Sequence, residues 1–253
     1  MSLRGRYVID RIKRAVDGIL SLPVPPYHNP AYWEGVYHKS NPSDTFEWGS
    51  VNYDDLREYN FVKTAYPPWG IASSGKEEKG DIHETLGLSR LPSTKGPLMM
   101  LGCGTSELGT QFVHAGFQPV VQVDVSSRLI EMKTQQSKVE GMSYIQDDAT
   151  ILSAFEDETV RAVVDKGLLD ALFCASATQQ CQSAMAAIQR VLQPNARFLL
   201  FSFSQPEFFL PVLAMPGWKD VEIRNVNEQI LLYLFRKNGV QNYSRSSVVK
   251  RRR

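Results

Sequence analysis

Residues 98–109, LMMLGCGTSELG, limit the fold more than any other stretch of this chain. The apolar run Leu98 to Leu101 ends at Gly102-Cys103-Gly104, and a polar stretch with the character of a helix start follows. Two glycines one residue apart let a chain turn sharply after a strand. They also let a ligand approach backbone that carries no Cβ. Twenty residues beyond Gly104, Asp124 closes a second apolar run, PVVQVD. Strand, glycine turn, helix, strand, acid is the half-Rossmann arrangement that grips an adenosine, with the acid accepting from the ribose hydroxyls.

The alternation continues downstream. Leu98–Leu101, Val120–Val123, Met142–Gln146, Ala162–Val164 and Arg197–Phe203 read as strands. Helices are expected over Ser106–Ala115, Arg128–Ser137, a short stretch near Ile151–Phe155, and Ala175–Leu192. Alternating strands and helices imply an α/β, Rossmann-like fold with a mostly parallel sheet covered on both faces. Val221–Val226 and Ile230–Phe235 follow each other without a helix between them, so the last strand is expected to enter antiparallel.

The acid at Asp124 disfavours a 2′-phosphate, and with it NADP. The dinucleotide fingerprint asks for a third glycine where this chain has Glu107. A carboxylate at a helix start opposes a pyrophosphate, so the expected ligand is an adenosine with a non-phosphate tail, S-adenosylmethionine. Asp148 follows the third strand and is placed to accept from the adenine amine; its neighbour Asp147 competes for that role, as does a plain helix-capping role. After the fourth strand come Asp165, Lys166 and Gly167, beside the position of the methyl donor. Open α/β sheets bind their ligands outside the carboxyl ends of their strands, where all these groups fall.

Upstream, residues 30–50 carry Tyr32, Trp33, Tyr37, Phe46 and Trp48. Trp33 and Tyr37 are four apart and share a helix face. Two readings stand on these residues: a helix docked on the core by its aromatics, or a lid over a sulfonium or adenine. Residues 53–66 read as a second helix, with Leu56, Tyr59, Phe61 and Val62 as its apolar contacts. Residues 67–96, rich in glycine, proline, serine and charge, read as a loop insertion. The expected organisation is therefore an N-terminal helical and aromatic extension (1–66), the insertion (67–96), a core (97–237) and a basic tail (238–253).

Composition removes other classes. The net charge is +1, which argues against nucleic acid as a partner. No apolar run approaches the ~18 residues of a membrane span. The histidines share no metal-ligand spacing, so no metal is expected. The cysteines, 3 in number and without a CxxC pair, suit a reducing, cytoplasmic setting. The first 22 residues hold five basic residues and two acids and read either as an amphipathic helix of the domain or as a mitochondrial presequence.

These residues resemble the seven-β-strand, methyltransferase-like protein-lysine methyltransferases, which include enzymes acting on elongation factor 1A and one acting on citrate synthase. The resemblance rests on Tyr32-Trp33…Tyr37, Phe46-Glu47-Trp48, LGCGTSEL, Asp124-Val125-Ser126, Asp148-Ala149 and DKGLLDA at 165–171. It implies transfer of a methyl group to a lysine of a protein substrate, such as a translation factor or a metabolic enzyme. It assigns Trp33, Tyr37, Trp48, Gly102, Asp124, Val125, Asp148, Ala149 and Lys166 to the cofactor, and the glycine turn read from the residues adds Gly104. Asp165, or Asp170 after it, is expected to orient the incoming amine. Leu168 stands where many members have threonine. A small-molecule methyltransferase and a non-catalytic binding protein are the alternatives.

Overall fold

The computed structural model describes residues 23–41, 43–57, 59–66, 73–88 and 95–239. Residues 1–22 and the tail from 240 onward lie outside it, and so do the presequence and basic-tail readings. The elements are α1 (Pro30–Lys39), α2 (Tyr53–Arg57), β1 (Tyr59–Tyr66), β2 (Ser73–Gly80), α3 (Ile82–Leu86), β3 (Leu98–Leu101) and α4 (Leu108–His114). They continue with β4 (Val120–Asp124), α5 (Ser127–Gln136), β5 (Met142–Gln146), β6 (Val160–Lys166), α6 (Leu168–Cys174) and α7 (Thr178–Val191). β7 (Leu192–Ser202), α8 (Pro206–Leu213), β8 (Trp218–Asn225) and β9 (Leu231–Lys237) complete the chain.

One sheet runs in the order β2-β1-β8-β9-β7-β6-β3-β4-β5. β5, β4, β3, β6 and β7 are parallel. β9 inserts antiparallel between β7 and β8. Seven strands, β8-β9-β7-β6-β3-β4-β5, thus form the mostly parallel module expected from the alternation, and its antiparallel strand is the last. Successive residues of β3 pack on opposite faces: Met99 and Leu101 join the apolar layer under α7 and α8, Leu98 and Met100 the layer under α4 and α5. All four are buried, as a strand covered by helices on both sides requires. The chain moves one way from β3 to β5 and then returns to place β6 on the other side of β3, which opens a crevice at their carboxyl ends.

The N-terminal region differs from the expected helix and loop. α2 stops at Arg57, and residues 59–66 form a strand that pairs antiparallel with β8, Lys63 opposite Arg224 and Tyr66 opposite Val221. YNFVKTAY carries the aromatic and β-branched residues that suit a pleated surface. Its pairing partner lies far along the chain, beyond any local periodicity. Residues 73–80 of the expected loop insertion pair with β1 as the outer edge, Tyr59 opposite Gly80. The edge sequence SSGKEEKG is charged, which discourages further strand addition. α3 follows it, capped by Asp81 through the His83 N–H and closed by Gly87 in the left-handed region.

Two smaller differences lie near the crevice. Ile151–Phe155 is a set of turns and not a helix, because Leu152 has φ 52° and Arg190 takes the carbonyls of Ile151, Leu152 and Phe155 from across the fold. The helix expected at Ala175–Leu192 begins at Thr178, preceded by α6 and a turn at Ser176 with φ 56°. No helix among the described residues is long and apolar enough to cross a membrane.

Candidate active site

A cavity of about 310 Å³ opens at the carboxyl ends of β3, β4 and β6, and α1 with the segment after it covers the opening. Its lining includes Trp33, Tyr37, Trp48, Gly102, Gly104, Asp124, Val125, Asp148, Ala149 and Lys166, every residue expected to hold a cofactor. Phe46, from the aromatic segment, and Leu168 join them, and so does Tyr27, which the sequence did not single out.

The glycine turn is built for close approach. Gly102 has φ 60° and Gly104 φ 51°, a region that penalises side chains. A Cβ on Gly102 would lie 2.7 Å from the Cβ of Leu168. Leu168, noted in the sequence as a departure from the threonine of many members of the resembled family, therefore packs directly on the turn.

Asp124 is 7% exposed and holds the turn from below. Its Oδ2 accepts the Gly104 N–H at 3.0 Å and its Oδ1 the Ser126 N–H at 3.1 Å. Burial raises its pKa, and the N–H donors of Ser126, Gly104 and Val125 pull the other way. The same burial, with Asp124 beside it, keeps the Tyr37 phenol protonated. At the third strand end the two acids separate by role. Asp147 spends both oxygens on its own loop, accepting from Asp148 N, Ser153 Oγ and Ala154 N. The bonds of Asp148, from Thr150 N and Oγ1, fall on Oδ1 alone. Its second oxygen takes no hydrogen bond among the described residues.

Asp165 is corrected by its position. It is fully buried and lies outside the cavity lining. Its two oxygens accept the Leu168 and Leu169 N–H groups at 2.8 and 3.0 Å, which caps α6. It braces the Lys166-Gly167 turn and does not meet an incoming amine. Burial raises its pKa to about 7 against those two donors, with Asp170 adding to the rise. A group raised from an ordinary ~3.9 stabilises the fold below that value and loses this contribution as pH climbs through the folded pKa. Wild-type stability is therefore expected to carry a component that falls by up to ~1.4 kcal/mol per pH unit between about pH 4 and 7. Urea unfolding across this range should show a flatter slope for Asp165→Asn; equal slopes would contradict the assignment.

The aromatic segment is a lid with two carboxylate anchors. α1 begins with Pro30 at its first turn and Asn29 accepting from Ala31 N. Trp33 stacks on Tyr27 at 5.7 Å and on Tyr37 at 6.3 Å, and its indole N–H donates to the Tyr27 carbonyl. Glu34 accepts from Ser126 Oγ, Ser127 Oγ and Arg128 N, which pins α1 to the start of α5. Glu47 does the same over the glycine turn, accepting from Ser106 Oγ at 2.8 Å and Glu107 N at 2.7 Å. It also takes a hydrogen bond from Lys166, whose ammonium donates besides to the Val51 carbonyl. Burial lowers the Lys166 pKa, and Glu47 opposes the shift.

Neither glutamate was expected from the sequence, where an acid among aromatics carries no periodicity or spacing. Replacing Glu47 by alanine strands the Lys166 ammonium, whose side chain is 5% exposed. Glu47→Ala is expected to cost about 3 kcal/mol in urea unfolding and to loosen the lid; a loss below ~0.5 kcal/mol would show that the anchor is idle.

Glu107 plays a different part from the one expected of it. Its charge is paired with Lys133 at 2.8 Å, and its own N–H, at the helix start, donates to the carboxylate of Glu47. Of the lysines and arginines, Lys166 alone lines the cavity among the described residues, and it is paired; the lining carries Asp44, Asp124, Asp147 and Asp148. An acidic, aromatic slot with a buried carboxylate at the end of β4 fits S-adenosylmethionine, whose sulfonium is a cation, and resists a pyrophosphate.

Comparison with known proteins agrees. A family model described as a methyltransferase domain matches residues 99–200. The eEF1A lysine and N-terminal methyltransferase of Mus musculus is 31% identical over 169 residues, 65% of this chain and 23% of that protein. The chain thus spans 23% of the length of this curated relative. Among solved structures, an enzyme-structure study of the conversion of a disulfide bond into a thioacetal group during echinomycin biosynthesis aligns with a TM-score of 0.53 at 14% identity, covering 83% of this chain and 92% of the other. A Methanococcus maripaludis protein assigned as an S-adenosyl-L-methionine-dependent methyltransferase aligns with a TM-score of 0.50 at 16% identity, covering 64% and 84%. Strand order, glycine turn, acidic slot and the matched methyltransferase domain converge: the chain has a seven-stranded, Rossmann-like methyltransferase fold, and its cofactor is S-adenosylmethionine.

Proposed function

We propose that this protein transfers a methyl group to a lysine side chain of a protein acceptor. The observation that carries the reading is the charge of the cavity. Asp44, Asp124, Asp147 and Asp148 line it beside aromatic rings, while its lysine is already paired with Glu47. Such a slot favours a cationic side chain over an anionic substrate. The mouse relative is an eEF1A lysine and N-terminal methyltransferase, which makes a translation factor the first acceptor to try.

When bound, the cofactor supplies an electrophilic methyl group on sulfur. Asp124 would hold the ribose and Asp148 the adenine amine; Trp33, Tyr37 and Trp48 would exclude water above them. The work left to the chain is placing a neutral amine in line with that methyl, and orientation of this kind accounts for much of such a rate. A lysine with pKa ≈ 10.4 arrives mostly charged. The acids of the lining attract it in that form and hold its proton on. Burial under the lid works against the charge and favours release of the proton to water.

The test is transfer from a labelled donor into a demethylated cell extract, with the modified residue mapped by mass spectrometry. The proposal expects label on lysine in one or a few proteins. Label confined to small molecules, or no transfer beyond that of a donor-binding mutant, would overturn it.

A further inference from the structure

Three aromatic rings run from the cavity wall to the surface. Trp48 lines the cavity, Phe46 packs edge-on against it at 6.3 Å, and Phe203 packs edge-on from the other side at 5.5 Å. Phe46 is 65% exposed and Phe203 40%. One buried carboxylate sets two of these rings. Asp170, 2% exposed on α6, accepts the Trp48 indole N–H at 3.4 Å and the Phe203 backbone N–H at 3.0 Å. It also accepts from Ser202 Oγ at 2.5 Å and Ser204 Oγ at 2.9 Å, the residues on either side of Phe203. Tyr233 donates to the Ser204 carbonyl and secures the same loop. The loop after β7 and the lid segment are thus tied to α6 at one point.

We propose that Phe46, Trp48 and Phe203 form the entry wall for the acceptor's lysine side chain, and that Asp170 is the positioning residue that sets Trp48 and Phe203. This rests on the lysine reading above. A lysine side chain is four methylenes carrying an ammonium, and a row of rings offers both an apolar track and electron-rich faces for the charge. The charge around the track matches. The lining is acidic and its lysine is neutralised by Glu47, so a cation enters without repulsion. Phe203 lies outside the cofactor lining, which lets its contribution be separated from cofactor binding.

The probe is a cofactor analogue in which nitrogen replaces the sulfur and carries a four-carbon aminoalkyl arm, compared by calorimetry with the N-methyl and N-pentyl analogues. The wild-type protein is expected to bind the aminoalkyl compound about 10-fold tighter than either comparison compound. Phe203→Ala should remove most of that gain while changing N-methyl affinity less than about twofold, and Phe203→Tyr should restore it. Asp170→Asn should reduce the gain together with a shift in tryptophan emission. The proposal is overturned by an absent gain, by a gain equal for the pentyl arm, or by a gain that survives Phe203→Ala in full. Failure of the N-methyl analogue to bind would overturn the cofactor assignment beneath it. Failure of the lysine reading shows separately, in the labelling experiment, as transfer without lysine modification.

Discussion

Replacing Asp124 with alanine is expected to weaken binding of S-adenosylhomocysteine about 100-fold while leaving the protein folded. Two effects add. A carboxylate accepting from two ribose hydroxyls contributes on the order of 3 kcal/mol, since hydrogen bonds to a charged group are the stronger kind. The same carboxylate holds Gly104 N and Ser126 N in place, so its loss also slackens the glycine turn and the start of α5. Removing a buried acid whose pKa is raised by burial relieves a desolvation penalty, which offsets part of the lost stability. Asp124→Asn should fall between the two, because an amide oxygen still accepts but carries no charge. Calorimetric titration checks both; an alanine variant within threefold of wild type would remove Asp124 from the ribose site.

The second large effect is expected at Gly167. Its φ is 98°, and a Cβ there would lie 2.6 Å from Cγ of Trp48. The backbone conformation alone penalises alanine by about 1–2 kcal/mol. The indole must also move, and with it the hydrogen bond to Asp170 and the contact with Phe203. Gly167→Ala is therefore expected to lower S-adenosylhomocysteine affinity about 10-fold, with a change in tryptophan emission that marks the displaced ring. Gly35, on the lid helix with nothing within 4 Å of its notional Cβ, is the control. Alanine there should stabilise the helix by about 0.5–1 kcal/mol. If the two alanines behave alike, the contact between Trp48 and the turn is not a constraint.

The parallel core was legible because each of its signals is local. Leu98–Leu101 and Gly102 sit within one turn of each other, and Asp124 closes the next strand. The charge of the cofactor slot was legible only in part. Glu107 pointed to the right ligand for an incomplete reason: its charge is spent on Lys133, and the carboxylate at the helix-start N–H is Glu47, brought from 60 residues upstream. The β1–β2 hairpin was hidden because β1 is held by β8, far along the chain, and because SSGKEEKG has no strand pattern of its own and exists as a strand through its pairing with β1. Asp165 illustrates a different limit. A carboxylate at a strand end can face the ligand or fold back to cap the next helix, and one sequence position serves both. The N–H groups of Leu168 and Leu169 decide the matter in three dimensions.

The central claim is that this cavity takes an adenosine with a cationic, phosphate-free tail. Parallel titration of the purified protein with S-adenosylhomocysteine and with NADH tests it most directly. One-to-one binding of S-adenosylhomocysteine, lost in Asp124→Ala, is expected, with no measurable binding of NADH. Saturable binding of NADH with none of S-adenosylhomocysteine would contradict it.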